Sequence, residues 1–176
     1  LLDFFPASRI YAFDVDKREC EKLNKSSKDG LKYYPYALGS KKEIRKFYIT
    51  KNPECSSLLK PNEELLKLYN GLEAAFLKEV TDIETITLDE FCDKEKINYL
   101  DFIKIDIQGA ELDVFQGAQK SLRNVLNIIC EVEFIPLYIE QPLFGDICSF
   151  LSKNNINFQK FLGVAGRTLY PIILKN

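Results

Sequence analysis

The chain of 176 residues contains no histidine and no methionine. Without histidine there is no Ser-His-Asp or Cys-His nucleophile system, no imidazole acid–base group and no histidine metal ligand. Position 1 is leucine, and the opening Leu1-Leu2-Asp3-Phe4-Phe5 reads as the last turn of a helix stopped at Pro6. The expectation is therefore an N-terminally trimmed piece of a longer product. The five cysteines (Cys20, Cys55, Cys92, Cys130 and Cys148) are odd in number, widely spaced and free of any Cys-x-x-Cys pair. That spacing supports neither a disulfide framework nor a zinc site, and leaves five buried or half-buried thiols.

Charge of one sign is also lacking, with 24 Lys and Arg against 26 Asp and Glu. A nucleic-acid partner is excluded on that ground, since phosphate binding needs a basic excess. Apolar runs such as Val125 to Cys130 are far too short to cross a bilayer, and no charged-then-apolar leader opens the chain. A soluble, cytoplasmic protein with no membrane partner is expected. The eight glycines form no Gly-x-Gly-x-x-Gly and no P-loop.

What is present points to an α/β fold. At 46% hydrophobic, residues 1–176 are expected to form one domain around one core. Arg9 to Val15 reads as a strand covered on both faces, and Asp16 with Glu19 as a capping box opening a helix to about Leu23. Leu31 to Leu38, Glu43 to Thr50, Val80 to Ile86, Phe102 to Ile107 and Leu126 to Phe134 are further strands. Helices are expected over 62–69, from Thr87 with its partner Glu90, from Ala110 to Leu122 at helical spacing, and from Leu143 to Leu151. Gly117 falls inside the third of these at a cost of about 1 kcal/mol relative to Ala. Close helix–sheet packing is its expected reason. Two closing strands, Phe158 to Leu162 and Thr168 to Leu174, suggest an antiparallel hairpin at one edge of a mostly parallel, doubly wound sheet.

The strand at Phe102 to Ile107 carries Lys104 and Asp106 on one face, opposite Ile103, Ile105 and Ile107. An unpaired charge inside a sheet costs several kcal/mol, so the two must pair or lie at the wet carboxyl end, where open α/β sheets bind ligands. Gly109 permits close backbone approach to a ligand, and Gln108 and Glu111 add polar side chains at the same turn. The next strand ends Cys130-Glu131-Val132-Glu133, which brings Glu131 or Glu133 opposite Asp106. Such a carboxylate cluster suits a general base, a grip on a substrate hydroxyl, or a hard cation. Asp14, at the end of the first strand, stands where nucleotide-binding folds place an acceptor for ribose hydroxyls, and Asp16 leaves it free by taking the cap.

These stretches, in this order and spacing, resemble the FkbM-type family of S-adenosylmethionine-dependent methyltransferases. The matching residues are Ile10 to Asp14, Ala37-Leu38-Gly39, Cys55-Ser56-Ser57-Leu58, Thr87-Leu88-Asp89, Lys104 to Glu111 and Phe134-Ile135-Pro136-Leu137-Tyr138. The resemblance implies a Rossmann-like class I methyltransferase sheet whose first strand and glycine-rich loop precede Leu1. It implies methyl transfer from S-adenosyl-L-methionine to a hydroxyl of a sugar or small metabolite, by the complete product and not by the isolated piece. Asp14, Ala37, Leu38, Asp106 and Gln108 are then the expected cofactor contacts. Asp106, Glu131, Glu133 and Lys104 are the catalytic candidates, no metal is called for, and the segment 51–80 is a candidate cover for the acceptor.

Two other readings stand beside this one. A dinucleotide oxidoreductase would share the acidic residue at the strand end, although no Tyr-x-x-x-Lys pair lies on a helix. A Rossmann-like binding domain without turnover would share the fold.

Overall fold

The computed structural model describes residues 2–171. Within them the chain alternates strands and helices, and parallel pairing dominates as expected. β1 (Ile10–Phe13) runs through the crossover helix α1 (Lys17–Ser26) into β2 (Leu31–Tyr34), which lies parallel to it. Asp16 caps α1 by accepting from the Arg18 and Glu19 amides at 2.8 and 3.2 Å. The reciprocal half of the capping box is not made. The Asp16 N–H that Glu19 would have taken is donated to Asp14 Oδ1, and Glu19 pairs with Lys22 instead.

The expected strand from Leu31 to Leu38 is two strands. Pro35 has no N–H to continue a ladder, and beyond it β3 (Ala37–Leu38) leaves β2 for a different sheet. There β3 lies parallel to β5 (Leu77–Ile86), and β5 pairs antiparallel with β4 (Glu43–Thr50) over nearly its whole length. The connection between them holds a 3-10 turn at Pro53–Cys55, the short helix α2 (Glu63–Leu66) and a second 3-10 turn at Glu73–Ala75. β5 leads into α3 (Leu88–Glu95), whose Thr87–Glu90 capping box is complete. β6 (Phe102–Ile105) and β7 (Asn127–Cys130) form a third, parallel sheet, linked through α4 (Glu111–Gln116) and a 3-10 turn at Ser121–Asn124. α5 (Phe144–Lys153) follows.

Among the described residues, antiparallel pairing between strands thus falls at β4–β5. Phe158 to Leu162 forms no strand. Its two phenylalanines lie three apart, and both rings turn onto Phe144 of α5 at 5.2 Å, an arrangement that a strand's period of two cannot supply. Of the second expected strand, Leu169 makes one isolated bridge to Tyr69, and residues 172–174 lie outside the described residues. Residues 2–4 make a turn where a helical end was expected, with residue 1 outside the described residues. α4 ends at Gln116 with Gly117 as its cap, well short of Leu122. A Cβ on Gly117 would come within 2.2 Å of the Gly39 carbonyl oxygen, so helix end and the turn after β3 meet backbone to backbone. Close packing is indeed what Gly117 serves.

The core gathers side chains from all these elements. Phe91 and Phe115 are fully buried, with Leu122, Val114 and Ile147 beside them. Phe91 meets Phe13 and Tyr34 edge-on at 4.7 and 4.8 Å, which fastens the β1–β2 pair to α3. Ile103 and Ile105 bring the inner face of β6 to the same cluster. Among the described residues, no helix is long and apolar enough to cross a membrane.

Candidate active site at the carboxyl ends of β6 and β7

β6 alternates as its sequence dictates. Ile103 and Ile105 are buried, whereas Phe102 and Lys104 face outward. The strand stops at Ile105, one residue before Asp106. The chain then turns through two left-handed residues, Gln108 at φ 60 and Gly109 at φ 97, before α4 begins. Glu111 makes that turn possible. It is 3% exposed, and its Oε1 accepts from the Ile107 and Gly109 amides at 2.9 and 3.2 Å. Burial raises its pKa, while the backbone donors pull the other way. Glu111 is therefore committed to shaping the turn.

Asp106 and Glu131 meet at this strand end. The β6–β7 register continues one step further, with the Glu131 N–H donating to the Ile105 carbonyl, and this sets Glu131 beside Asp106. Gln108 Nε2 lies 2.9 Å from Asp106 Oδ1 and 2.9 Å from Glu131 Oε2. The pKa of Glu131 is pushed up to about 7, first by its hydrogen bond to Asp106, then by burial and by the charges of Asp106, Glu133 and Glu111. Glu133 is half-buried, and burial followed by the charges of Glu111 and Asp106 raises its pKa too. Of the two glutamates left open by the sequence, Glu131 is the one that shares the Gln108 amide with Asp106. Lys104 Nζ stands 3.9 Å from Asp106 Oδ2 with most of its side chain in solvent, so this ion pair is a loose one.

Two residues outside the expected set close the back of the site. Tyr138, 2% exposed, donates its hydroxyl to the Cys55 carbonyl at 2.7 Å and stands 3.5 Å from Gln108 Oε1. Ser57, 1% exposed, donates its hydroxyl to the Gln108 carbonyl at 2.8 Å. Gln141 supports the turn from behind, accepting from the Tyr138 amide and packing against Gly109. A buried tyrosine must find a partner for its hydroxyl, yet nothing in the sequence names a carbonyl more than eighty residues away. Burial pushes the thiol of Cys130 and the phenol of Tyr138 up, so both stay protonated near neutrality.

The other expected residues lie on neighbouring elements. Asp14 is exposed at the carboxyl end of β1, and its N–H donates to the Tyr34 carbonyl. It is less free than the sequence suggested, because Oδ1 accepts the Asp16 amide. Ala37 is buried and Leu38 half-buried in β3, paired with Thr85 and Ile86. No hydrogen bond or ion pair joins Asp14, Ala37 or Leu38 to the carboxylate pair among the described residues. Nor is any group of three or more His, Cys, Asp or Glu side chains placed there to hold a metal ion.

Residues 4–159 match the family described as the methyltransferase FkbM domain. The chain belongs to the FkbM methyltransferase family. It is also 23% identical over 176 residues to the 2-O-methyltransferase NoeI of Sinorhizobium fredii (strain NBRC 101917 / NGR234), covering 96% of this chain and 71% of that protein. No solved structure matches the chain. As an FkbM family member the chain carries the Asp106–Gln108–Glu131 constellation inside the matched region, and the oxidoreductase reading loses its support.

Proposed function

We propose that this chain forms the working part of an S-adenosyl-L-methionine-dependent O-methyltransferase, acting on a hydroxyl of a sugar or small metabolite. One observation carries the reading beyond the family assignment. Two carboxylates, Asp106 and Glu131, both accept from the Gln108 side-chain amide at the wet end of parallel strands, where an α/β sheet presents its ligand. The name of the NoeI relative, a 2-O-methyltransferase, supports the choice of oxygen as acceptor. On this reading the three sheets are parts of a class I methyltransferase fold, with residues 1–176 acting as one domain.

The residues present fit the cofactor by their chemistry. Asp14 is an exposed carboxylate at a strand end, suited to accept from a ribose diol. Leu38 offers a half-buried apolar edge beside Ala37 for a purine ring. The acidic end of β6 and β7 suits a cationic centre. When bound, the cofactor supplies an electrophilic methyl group. The chain's own tasks are to align the acceptor hydroxyl and receive its proton. Glu131, titrating close to neutrality, is suited to hold that proton, and Asp106 to orient the hydroxyl. Lys104 keeps a positive charge at the outer side of Asp106. The site would be open to a solvent-borne acceptor, with no nucleic-acid or membrane partner and a cytoplasmic location.

Calorimetry with S-adenosylhomocysteine on the intact protein is the test. A one-to-one site is expected, about tenfold weaker in Asp14→Ala, as loss of charge-assisted hydrogen bonds worth roughly 1.5 kcal/mol would give. No measurable binding would overturn the cofactor assignment. Binding without transfer of label to any hydroxyl compound would return the chain to the non-catalytic reading.

A further inference from the structure

Gln108 holds a backbone conformation that side-chain-bearing residues adopt at a cost of about 1–2 kcal/mol, with φ at 60. The surroundings that hold it there are specific. The buried Ser57 hydroxyl donates to its carbonyl at 2.8 Å, and the Ser57 oxygen in turn accepts the Leu59 amide at 3.0 Å. Its side-chain amide then reaches forward to Asp106 and Glu131 at 2.9 Å each. The orientation of the amide follows from its neighbours: reversed, its oxygen would face two carboxylate oxygens, and its nitrogen the Tyr138 hydroxyl. A primary amide has two N–H protons, and here each is directed to a different carboxylate.

We propose that Gln108 is a positioning residue whose single amide clamps Asp106 and Glu131 side by side, with one oxygen of each 2.9 Å from its nitrogen. Ser57 and Tyr138 hold the clamp, so two segments remote in sequence, 51–61 and 134–142, set the spacing of the pair. The proposal rests on the reading of this strand end as the acceptor side of a methyltransferase site, but its test needs neither cofactor nor acceptor.

The groups facing the pair act in a consistent direction. Glu111 from α4 and Glu133 from the loop after β7 add negative charge, and Lys104 from β6 offsets part of it at 3.9 Å from Asp106. Cys130 of β7, Cys55 of the 51–61 segment and Tyr138 contribute no charge near neutrality, since burial raises all three. Two effects of the amide then oppose each other and can be told apart by sign. As a donor, Gln108 favours ionised carboxylates and lowers their pKa values. As a clamp, it holds like charges together and raises the pKa of the one that keeps the proton.

Carbon-detected NMR titration of glutamate carboxyls reads this directly, with the Glu131 signal assigned by its loss in Glu131→Gln. In the native protein Glu131 is expected to titrate near pH 7. In Gln108→Met, similar in size but without the amide, the midpoint is expected to fall by about one unit as the carboxylates part. Gln108→Asn keeps an amide and tolerates the left-handed backbone, yet is too short to span both partners, and the same fall is expected. Ser57→Ala, which touches neither carboxylate, is expected to give a smaller fall. A midpoint that stays or rises in a folded Gln108 variant overturns the clamp and leaves the amide a mere donor. Failure of the protein to bind S-adenosylhomocysteine would leave these titrations unaffected, so the two readings fail separately.

Discussion

Glu131 has an electrostatic consequence close to neutrality, because its neighbours hold a proton on it well above the ordinary carboxylate range. A group whose pKa is raised on folding binds its proton more tightly in the folded chain. Its contribution to stability is therefore complete below about pH 4.5 and is lost as pH rises through about 7. Glu111 and Glu133, also raised, push in the same direction. Glu131→Gln removes the titration while keeping size and polarity. Thermal melts should show the variant melting roughly 1–3 °C above the native protein at pH 8, a figure reduced for solvent screening of a half-exposed group, and level with it at pH 4. A native advantage at pH 8 would mean that Glu131 is ionised and well paired. Asp106, Gln108 and the Glu131–Glu133 alternative could all be singled out from the strand pattern. The choice between the two glutamates could not, because it turns on a one-residue continuation of the β6–β7 ladder.

At the scale of elements, local signals set where helices begin more securely than where strands lead. Thr87 accepts from the Glu90 amide at 3.0 Å, and the Glu90 carboxylate accepts from the Thr87 amide at 3.0 Å. Replacing Thr87 with Ala should cost about 1 kcal/mol in a urea titration, with an unchanged slope. A loss under a few tenths would show that packing of Phe91 and Leu88 alone holds α3. The contrast with Asp16 is instructive. Both sites carry a capping-box spacing, but at α1 the cap residue's N–H is claimed by Asp14 two residues earlier. Pro35 sits inside the single strand expected from Leu31 to Leu38, and only the pairing of Ala37 and Leu38 with Thr85 and Ile86 shows that the chain beyond it joins another sheet.

For the whole molecule, one cluster of apolar side chains joins β1, β2, α3, β6, α4 and α5. The thiols report on its integrity. All five are free, and Cys20 and Cys92 are 2% and 6% exposed. Reaction with an aromatic disulfide reagent should label both only as the chain unfolds, in step with the loss of circular dichroism, and five equivalents should react in denaturant. Rapid labelling of Cys92 under native conditions would place the packing of α3 against the 3-10 turn at Ser121–Asn124 in error. The Arg45–Asp113 ion pair ties β4 to α4 across this same body.

The sequence by itself determined the element types from β1 to α5, the inward face of β6, and the presence of a polar cluster just beyond β6. Each of these is written in residues at most a few positions apart, through hydrophobic period, caps and turn chemistry. Only the tertiary structure decided that Glu111 braces the turn and that the antiparallel pairing is β4 with β5. It also decided that Gln108 is held by Ser57 and stands beside Tyr138, from opposite sides in the chain. Those outcomes depend on which distant backbone groups arrive at hydrogen-bonding distance, and no local pattern in the chain encodes that arrival.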